Sequence, residues 1–377
     1  MTSNVYILGA GVSRAAGLPL MDDFFVMAKQ FLENSGSGLG SQDIGGVYEN
    51  TALQEIFSYV ASHAGTFYEK NWNPLNIEHV YSVLDSEISS NSVPTDGRKT
   101  LVQLRRYLRY TIVRIFEIAE FNGRNSLPLA ILRGRRESAT IYAAFAATLR
   151  PQDTVISFNY DLLVDRGLVS VGLRPDYVLS ADPIHHVNGP WCSDRPARRL
   201  LKVHGSANWM ICGRDECEGM HVHTDVFNNT SAHVNDDHCH VCHRDNSLLD
   251  YLIVPPTTAK RPSDERLQKI MISAIESLRT ATQVFIIGFS CPMTDEGDAT
   301  FGRLVREGMH NNSHSPHVIV VNPDYGHAKR VQERVRTYTD HKICPCLITS
   351  TASCASRGKF EHFLNSAEGH CLMGMME

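Results

Sequence analysis

The sequence predicts an α/β fold built on a doubly wound parallel sheet. Two observations lead to this prediction. Short, uninterrupted apolar runs recur along the chain, and each is followed by a turn or a helix, as buried parallel strands require. The stretches between these runs have the apolar spacing of amphipathic helices. The core is therefore expected to be Rossmann-like, and 377 residues are enough to bury a large core with insertions.

The individual elements follow from these patterns. The strand candidates are Val5–Leu8, Thr154–Ser157, Leu200–Val203, Tyr251–Val254, Val284–Gly288 and Val318–Asn322, all expected in the parallel sheet. The helix candidates are Asp22–Glu33, Leu53–Ser62, Ile77–Ile88, Leu101–Phe121, Ala139–Leu149 and Asp264–Leu278.

Two segments are too long or too polar to be simple connections. More residues separate the first two strand candidates than one crossover helix can account for, so an inserted helical subdomain is predicted at about residues 35–150. A second segment, at about residues 209–246, is polar and rich in Cys and His. We expect a small zinc-ribbon-like insertion there.

Composition and charge exclude some classes of protein. The 36 basic and 41 acidic residues give a formal net charge of −5, so nothing global indicates binding to nucleic acid or to an anionic membrane. A local basic patch is still possible. Neither a signal sequence nor an apolar run long enough to span a bilayer is evident, and a cytoplasmic location is expected.

The first candidate site is the glycine-rich string GAGVSRAAGLP at residues 9–19. Gly9-Ala10-Gly11 directly after a strand allows the backbone to approach a phosphate. A helix beginning near Ser13 would direct its free N–H groups at that charge. A glycine turn that binds no ligand would have the same residues, so this string alone does not decide between the two.

Four further motifs follow later strands: SFNYD at 157–161, KVHG at 202–205, IGFS at 287–290 and VVNPD at 320–324. Each lies at the carboxyl end of an apolar strand, where open α/β sheets bind ligands. Simpler roles are possible for the individual residues. Asn159 and Asp161 could cap a helix that begins at about Leu162, and His204 could be a core or turn residue. Ser290 and Asn322 could be loop hydrogen-bonding residues.

Taken together and in this order, the five motifs resemble those of sirtuins and sirtuin-like domains, whose first motif reads GAGxSxxxG(I/L)P. The resemblance implies that residues 1–377 form a single NAD+-binding domain containing both insertions. It implies catalytic roles for Asn159 and His204. It also implies NAD+ contacts from Gly9, Ala10, Gly11, Ser13, Gly17, Pro19, Asp161, Gly288, Ser290 and Asn322.

The chain departs from the sirtuins that remove acyl groups. Their first motif continues with Asp-Phe-Arg after the proline, whereas here Leu20-Met21-Asp22-Asp23 precedes Phe24 and no arginine follows it. Their peptide-binding loop is also not evident. The chain is more similar to divergent bacterial sirtuin-like domains that hydrolyse NAD+ in defence against phage. The alternatives are an NAD-dependent deacylase or ADP-ribosyltransferase, or a non-catalytic sensor of NAD+ or ADP-ribose.

The residue types suit cleavage of the nicotinamide–ribose bond. The leaving group is already positively charged, so the protein has to fix the ribose, shield the cation and present water. The Asn159 amide could orient the ribose hydroxyls or the water. The His204 imidazole titrates near neutral pH and could take a proton from either. Asp161 could hold the carboxamide or the charge of the leaving group.

Uncontrolled NAD+ hydrolysis would be toxic, so the resemblance also implies regulation. We expect control by homo-oligomerisation or by a separate regulatory partner, such as an ATPase or a nuclease-like protein.

Four cysteines form two pairs, Cys212-x4-Cys217 and Cys239-x2-Cys242, which is the composition of a structural zinc site. Reduced cysteines without metal and a catalytic metal are the alternatives. Nearby histidines could replace a cysteine as ligand: His221, His223, His238, His240 or His243. Many sirtuins carry a four-cysteine zinc module after the histidine motif, and the resemblance therefore implies a structural Zn2+.

Overall fold

The main sheet contains seven parallel strands within the described residues. With strands numbered along the chain, these are β1 (Asn4–Leu8), β2 (Thr154–Ser157), β3 (Arg174–Asp176), β5 (Ala197–Lys202), β9 (Gln283–Ile287), β10 (His317–Val321) and β11 (Cys346–Ile348). Their spatial order is β11-β10-β9-β1-β2-β5-β3. β2, β3 and β5 lie on one side of β1, and β9, β10 and β11, which come later in the chain, lie on the other side. The predicted doubly wound α/β class is therefore confirmed.

The computed structural model describes most of the chain. The described residues are 3–14, 16–20, 24–35, 44–69, 76–90, 95–125, 141–179, 184–187, 194–212, 217–223, 239, 241–243, 249–254, 264–289, 299–350, 359–366, 369 and 373.

A second sheet has the order β4-β7-β6-β8 and contains β4 (Ile184–Val187), β6 (Gly205–Cys212), β7 (Met220–His223) and β8 (Leu249–Ile253). The predicted strand Tyr251–Val254 corresponds to β8, and its placement in the parallel sheet was wrong. It pairs antiparallel to β6, with Tyr251 opposite Met210. An apolar run indicates a buried strand but not the sheet to which that strand belongs.

The helices agree with the amphipathic pattern. They are α1 (Ala10–Arg14), α2 (Phe24–Ser35), α3 (Ile44–Ser62), α4 (Ala64–Glu69), α5 (Ile77–Ser89), α6 (Thr95–Asn125), α7 (141–148), α8 (Leu163–Ser170), α9 (Glu265–Thr280), α10 (Ala299–Leu304), α11 (Tyr325–Tyr338) and α12 (Phe360–Asn365). A π-helical turn, Val305–Met309, continues α10. The helix α1 lies within the glycine-rich string. It begins at Ala10, earlier than the predicted start near Ser13, and it has only five residues.

The central strand β1 is completely buried, because strands pair with both of its edges and side chains of helices pack on the sheet. It pairs with β2 on one side and β9 on the other. The Tyr6 ring stacks on Phe285 at a centroid distance of 5.0 Å and meets Phe145 of α7 edge-on at 5.3 Å. Burying a side chain of this size stabilises the fold by about 1.5–3 kcal/mol. The carboxyl end of β1 therefore has a fixed position in the core.

The helices between β1 and β2 pack against the same core as the sheet. The Tyr142 hydroxyl of α7 donates a 2.7 Å hydrogen bond to the Val12 carbonyl in α1. Arg109 of α6 forms an ion pair with Asp250 of β8, and both side chains are largely buried. The segment predicted as a helical insertion thus contacts both sheets. None of the described helices combines the length and the apolar composition that crossing a membrane requires.

Candidate nucleotide site and cysteine cluster

The glycine-rich loop lies where the strand order changes direction. β1 and β9 are neighbours, and the loops at their carboxyl ends are hydrogen-bonded to each other. The amide of Gly9 donates to the Ile287 carbonyl at 2.9 Å, and the amide of Gly11 donates to the Gly288 carbonyl at 2.8 Å. Open α/β sheets bind ligands in the crevice outside such a change of direction. The predicted glycine motif and the predicted IGFS motif therefore meet at the expected edge.

Three glycines allow these loops to approach each other. A Cβ on Gly9 would lie 2.7 Å from the Gly288 carbonyl oxygen, and one on Gly11 would lie 2.8 Å from the same atom. Gly288 has φ +64°, and its Cβ would lie 2.5 Å from the Val12 nitrogen. The Gly9 and Gly11 amides are used between the loops, so these glycines have a demonstrated packing role. Their role as a phosphate cradle is still a prediction.

Asn159 connects the loop after β2 to the loop after β1. Its side-chain nitrogen donates to the Gly9 carbonyl at 3.0 Å and to the Ser13 hydroxyl at 2.8 Å. These two acceptors lie about 150 residues earlier in the sequence. The structure thus brings a predicted catalytic residue into contact with two predicted NAD+-contacting residues.

Asp161 is buried, and both of its carboxylate oxygens accept hydrogen bonds. One oxygen accepts a 2.5 Å hydrogen bond from the Ser13 hydroxyl, and the other accepts one of 3.1 Å from the Leu163 amide at the start of α8. Burial raises the pKa of this carboxyl above its ordinary value, against the opposing effects of Lys202 and Ser13. The N-cap of α8 is Leu162, so Asp161 is not the cap residue itself, but it accepts from the first amide of the helix.

His204 lies in the turn between β5 and β6, with 2% of its surface exposed. Its ring meets the Phe158 ring edge-on at a centroid distance of 5.0 Å. The following Gly205 has φ +84°, and a Cβ there would lie 1.9 Å from the Leu252 carbonyl oxygen. Only glycine fits this turn, because a side chain would strain the backbone and strike β8. The predicted catalytic histidine is thereby held beside the SFNYD loop.

Phe158 belongs to a group of three phenylalanine side chains that contact one another. Phe289 stacks on Phe301 of α10 at 4.5 Å and meets Phe158 edge-on at 5.1 Å. Sequence reasoning did not single out these three phenylalanines. Phe158 and Phe289 are members of the SFNYD and IGFS motifs, and that membership is the signal that could have identified them. They build an apolar wall between the loops after β2 and β9.

The remaining predicted contact residues have local roles. The Asn322 amide donates to the Phe289 carbonyl at 3.0 Å, and its oxygen accepts from the Asp324 amide at 2.9 Å. Asn322 therefore holds the loop after β9, as the loop hydrogen-bonding alternative predicts. Gly17, with φ +80°, follows the end of α1, and Pro19 is buried. Ser290 lies outside the described residues.

Four cysteines converge at one end of the second sheet. The sulfur atoms of Cys212, Cys217, Cys239 and Cys242 all lie within 4.8 Å of one another. Two of these separations are 4.0 Å, between Cys212 and Cys242, and 3.6 Å, between Cys217 and Cys239. Four thiolates bound tetrahedrally to zinc at about 2.3 Å would be about 3.8 Å apart. The donor set and its spacing therefore fit a metal ion of this kind.

Gly219 lies against this cluster and leaves space for it because it has no side chain. A Cβ on Gly219 would lie 2.8 Å from the Cys239 sulfur and 3.2 Å from the Cys217 sulfur, so only glycine leaves room for the four thiols. His221 and His223 are buried in β7, and His243 is exposed; the described group contains only the four cysteines. His238 and His240 lie outside the described residues.

Comparison with known proteins gives matches among solved structures alone. No protein-family model matches the chain, and the search of curated proteins gave no significant match. A solved structure described as "Structural Basis for the Mechanism and Regulation of Sir2 Enzymes" covers 90% of this chain and 92% of its own, with 13% identity and a TM-score of 0.38. A likeness of this strength leaves the family of the chain open.

Proposed function

We propose that this protein hydrolyses NAD+ at the nicotinamide–ribose bond, in a site at the carboxyl edge of the main sheet. The observation that supports this most directly is the pair of hydrogen bonds from Asn159 to Gly9 and Ser13. They join the SFNYD motif to the glycine motif, at the position where a doubly wound sheet accommodates a dinucleotide. His204 lies next to the same loop through its contact with Phe158.

The proposed reaction consumes one water molecule and yields nicotinamide, ADP-ribose and a proton. Cleavage leaves the bond electrons with nicotinamide and produces a ribosyl cation, to which water adds. In this proposal the side-chain oxygen of Asn159 accepts from a ribose hydroxyl while its nitrogen keeps the bonds to Gly9 and Ser13, and His204 accepts the proton released from the water or a ribose hydroxyl. The apolar wall of Phe158, Phe289 and Phe301 keeps other nucleophiles away from the cation.

We assign the four cysteines to a structural Zn2+. The four cysteines belong to the end of β6 and to the segments before β7 and before β8, and none is part of the loops that carry Asn159 and the glycines. The ion would contribute folding free energy to this part of the chain, and no step of the reaction requires it.

The same proposal extends to the biological role. Hydrolysis without an acceptor substrate depletes a cofactor that every cell needs, which suits a cytoplasmic effector in bacterial antiviral defence. Such an effector has to be restrained, and we propose control by self-association or by a separate partner protein. The resemblance of the five motifs to the defence branch of sirtuin-like domains supports this role.

The test is to incubate the purified protein with NAD+ and to quantify nicotinamide and ADP-ribose by chromatography. We expect both products without any acyl-lysine peptide, and we expect loss of both in Asn159→Ala and His204→Ala. Asn312→Ala is a matched control, because the Asn312 amide also donates two hydrogen bonds, in this case to the carbonyls of Leu278 and Ala281, far from the site in sequence. Its activity should equal that of the wild type.

Three outcomes would contradict the proposal. Strict dependence on an acyl-lysine peptide would identify a deacylase, and transfer of ADP-ribose to protein would identify a transferase. Two observations together would identify a sensor. The purified protein would bind NAD+ without releasing nicotinamide or ADP-ribose, and the NAD+ content of bacteria that express the protein would stay unchanged.

A further inference from the structure

Lys202, the last residue of β5, is a fully buried lysine that none of the proposed reaction steps uses. Its side chain is 1% exposed, and so is that of Asp165 in α8, whose carboxylate lies 3.3 Å from the Lys202 ammonium. Burying an ammonium group carries a large desolvation cost unless it is paired and hydrogen-bonded. A buried lysine at this position therefore requires partners for all three of its N–H groups.

Two of these partners are main-chain carbonyls directly after Asn159. The Lys202 ammonium donates to the Asp161 carbonyl at 2.6 Å and to the Tyr160 carbonyl at 3.3 Å, and the third contact is to Asp165. With three donors and three acceptors, the ammonium is fully used within the protein. It is therefore a clamp on the SFNYD loop and has no remaining donor for a ligand.

Asp165 is itself held in place from the other side. The Tyr177 hydroxyl donates to its second carboxylate oxygen, and the Asn208 amide of β6 donates to the Tyr177 hydroxyl at 3.4 Å. Asn208 is fixed by a 2.6 Å bond from Ser206 and by its own 2.8 Å bond to the His223 carbonyl. This chain of buried bonds connects the loop after β2 to the second sheet.

The position of Lys202 in the sequence completes the relationship. It stands two residues before His204 and holds the carbonyls one and two residues after Asn159. One side chain thus sets the loop that carries Asn159 relative to the turn that carries His204. We propose that Lys202, paired with Asp165, is a positioning residue that fixes the distance between these two candidate catalytic residues by clamping the main chain at 160–161.

This inference rests on the proposed function for its kinetic readout, and a second readout is independent of activity. The variant Lys202→Met/Asp165→Asn removes both charges together, which avoids leaving one buried charge unpaired. We expect kcat for NAD+ hydrolysis to fall about 10- to 100-fold, as displacement of a catalytic group by about 1 Å does. KM should change less than kcat. Hydrogen exchange of the amides at 159–163 should accelerate, while the strands of the main sheet keep their protection.

The matched control is Arg150→Met/Asp153→Asn. This ion pair precedes β2 at its other end, and the Asp153 side chain is also 1% exposed. We expect wild-type kcat and wild-type exchange at 159–163 in this control. Tyr177→Phe is the second variant in case the double variant does not fold. It removes the hydroxyl that holds Asp165 but keeps the Lys202–Asp165 ion pair, and it should show the same effects with smaller amplitude.

Wild-type kcat in the folded Lys202 variant would overturn the proposal, and so would a lower kcat with unchanged exchange at 159–163. If the wild type does not hydrolyse NAD+, the proposed function fails and the exchange measurement alone decides. Faster exchange confined to 159–163 then supports the clamp, whereas unchanged or uniformly faster exchange overturns it.

Discussion

The hydroxyl of Ser13 donates a 2.5 Å hydrogen bond to the carboxylate of Asp161, a residue 148 positions away in the sequence. The same hydroxyl oxygen accepts the Asn159 amide at 2.8 Å. Ser13 therefore uses both hydrogen-bonding functions of one hydroxyl to join two residues of the SFNYD motif to α1.

Ser13→Ala should destabilise the protein by about 1–3 kcal/mol, because it removes a donor from a buried carboxylate. The loss should depend on pH. Burial raises the pKa of Asp161 above its ordinary value of 3.8, so the folded protein favours the protonated carboxyl. The stability gained from this protonation is complete below pH 3.8 and is lost as pH rises through the raised pKa. Since the Ser13 hydrogen bond lowers this pKa, its removal should raise the pKa further.

Urea unfolding at several pH values between 4 and 8 measures this dependence. The stability difference between wild type and Ser13→Ala should grow with pH. Ser58→Ala is the control, because its hydroxyl bonds only to the Gln54 carbonyl of its own helix, and its small effect should not vary. A constant difference for Ser13→Ala would show that Asp161 does not titrate as described.

Two glycines with similar backbone conformations should respond differently to alanine. Gly172 has φ +77° and open space around its Cβ position, so Gly172→Ala should cost only the strain of about 1–2 kcal/mol. Gly205→Ala should cost that strain plus about 1–3 kcal/mol or more, because its Cβ would lie 1.9 Å from the Leu252 carbonyl oxygen. Denaturant unfolding of both variants checks this. Equal losses would place Leu252 farther from the turn.

Removal of one cysteine of the cluster should release the metal and unfold this region. We expect about one zinc ion per wild-type chain by elemental analysis and less than half of that in Cys242→Ser, together with a lower thermal midpoint. Cys344→Ser is the control, because Cys344 is exposed and is not part of the cluster. A wild-type protein purified without metal, and indifferent to chelators, would instead support four reduced thiols.

Asp264→Asn tests the start of α9. Burial acts to raise the Asp264 pKa, but the hydrogen bonds and charge of Arg266 outweigh it and lower the pKa below 3.8. The ion pair therefore stabilises the protein above pH 3.8 and is lost as pH falls through the lowered value.

Asparagine keeps the helix cap, so we expect a loss below about 1 kcal/mol at pH 7 that shrinks as pH falls. Unfolding curves at pH 7 and near pH 3 measure it. A loss that increases toward acid would contradict the assignment. Asp324→Asn provides a cap without such an arginine pair and should show a weaker effect.

The strands that the sequence predicted well are those that are buried on both faces. β1, β2, β9 and β10 contain apolar runs that are buried over nearly their whole length, whereas β5 was found through its buried half, residues 200–202. β3 was missed because its three residues, Arg174–Asp176, include a proline and two charged side chains. β8 was found but assigned to the wrong sheet, because an apolar run indicates burial, as found for Tyr251, but not the sheet to which the strand belongs.

The motif residues of the candidate site could be located from sequence because each follows a strong strand pattern. The residues that hold them in place could not. A lysine usually indicates solvent exposure, so nothing local indicated that Lys202 is buried against the Asp161 carbonyl. The contacts of Phe158 with His204 and with Phe289 likewise depend on the three-dimensional arrangement of strands far apart in sequence.

The central position of β1 also has a consequence for how the molecule is made. This strand is synthesised long before its two neighbours, which are β2, beginning at Thr154, and β9, beginning at Gln283. Pairings between segments so far apart form slowly, and a ribosome-bound chain that stops short of β9 has no partner for one edge of β1. The glycine loop is also hydrogen-bonded to Gly288, so the crevice of the candidate site is completed only after that residue has left the ribosome. A nascent enzyme of the proposed kind would therefore be harmless to the cell for most of its translation.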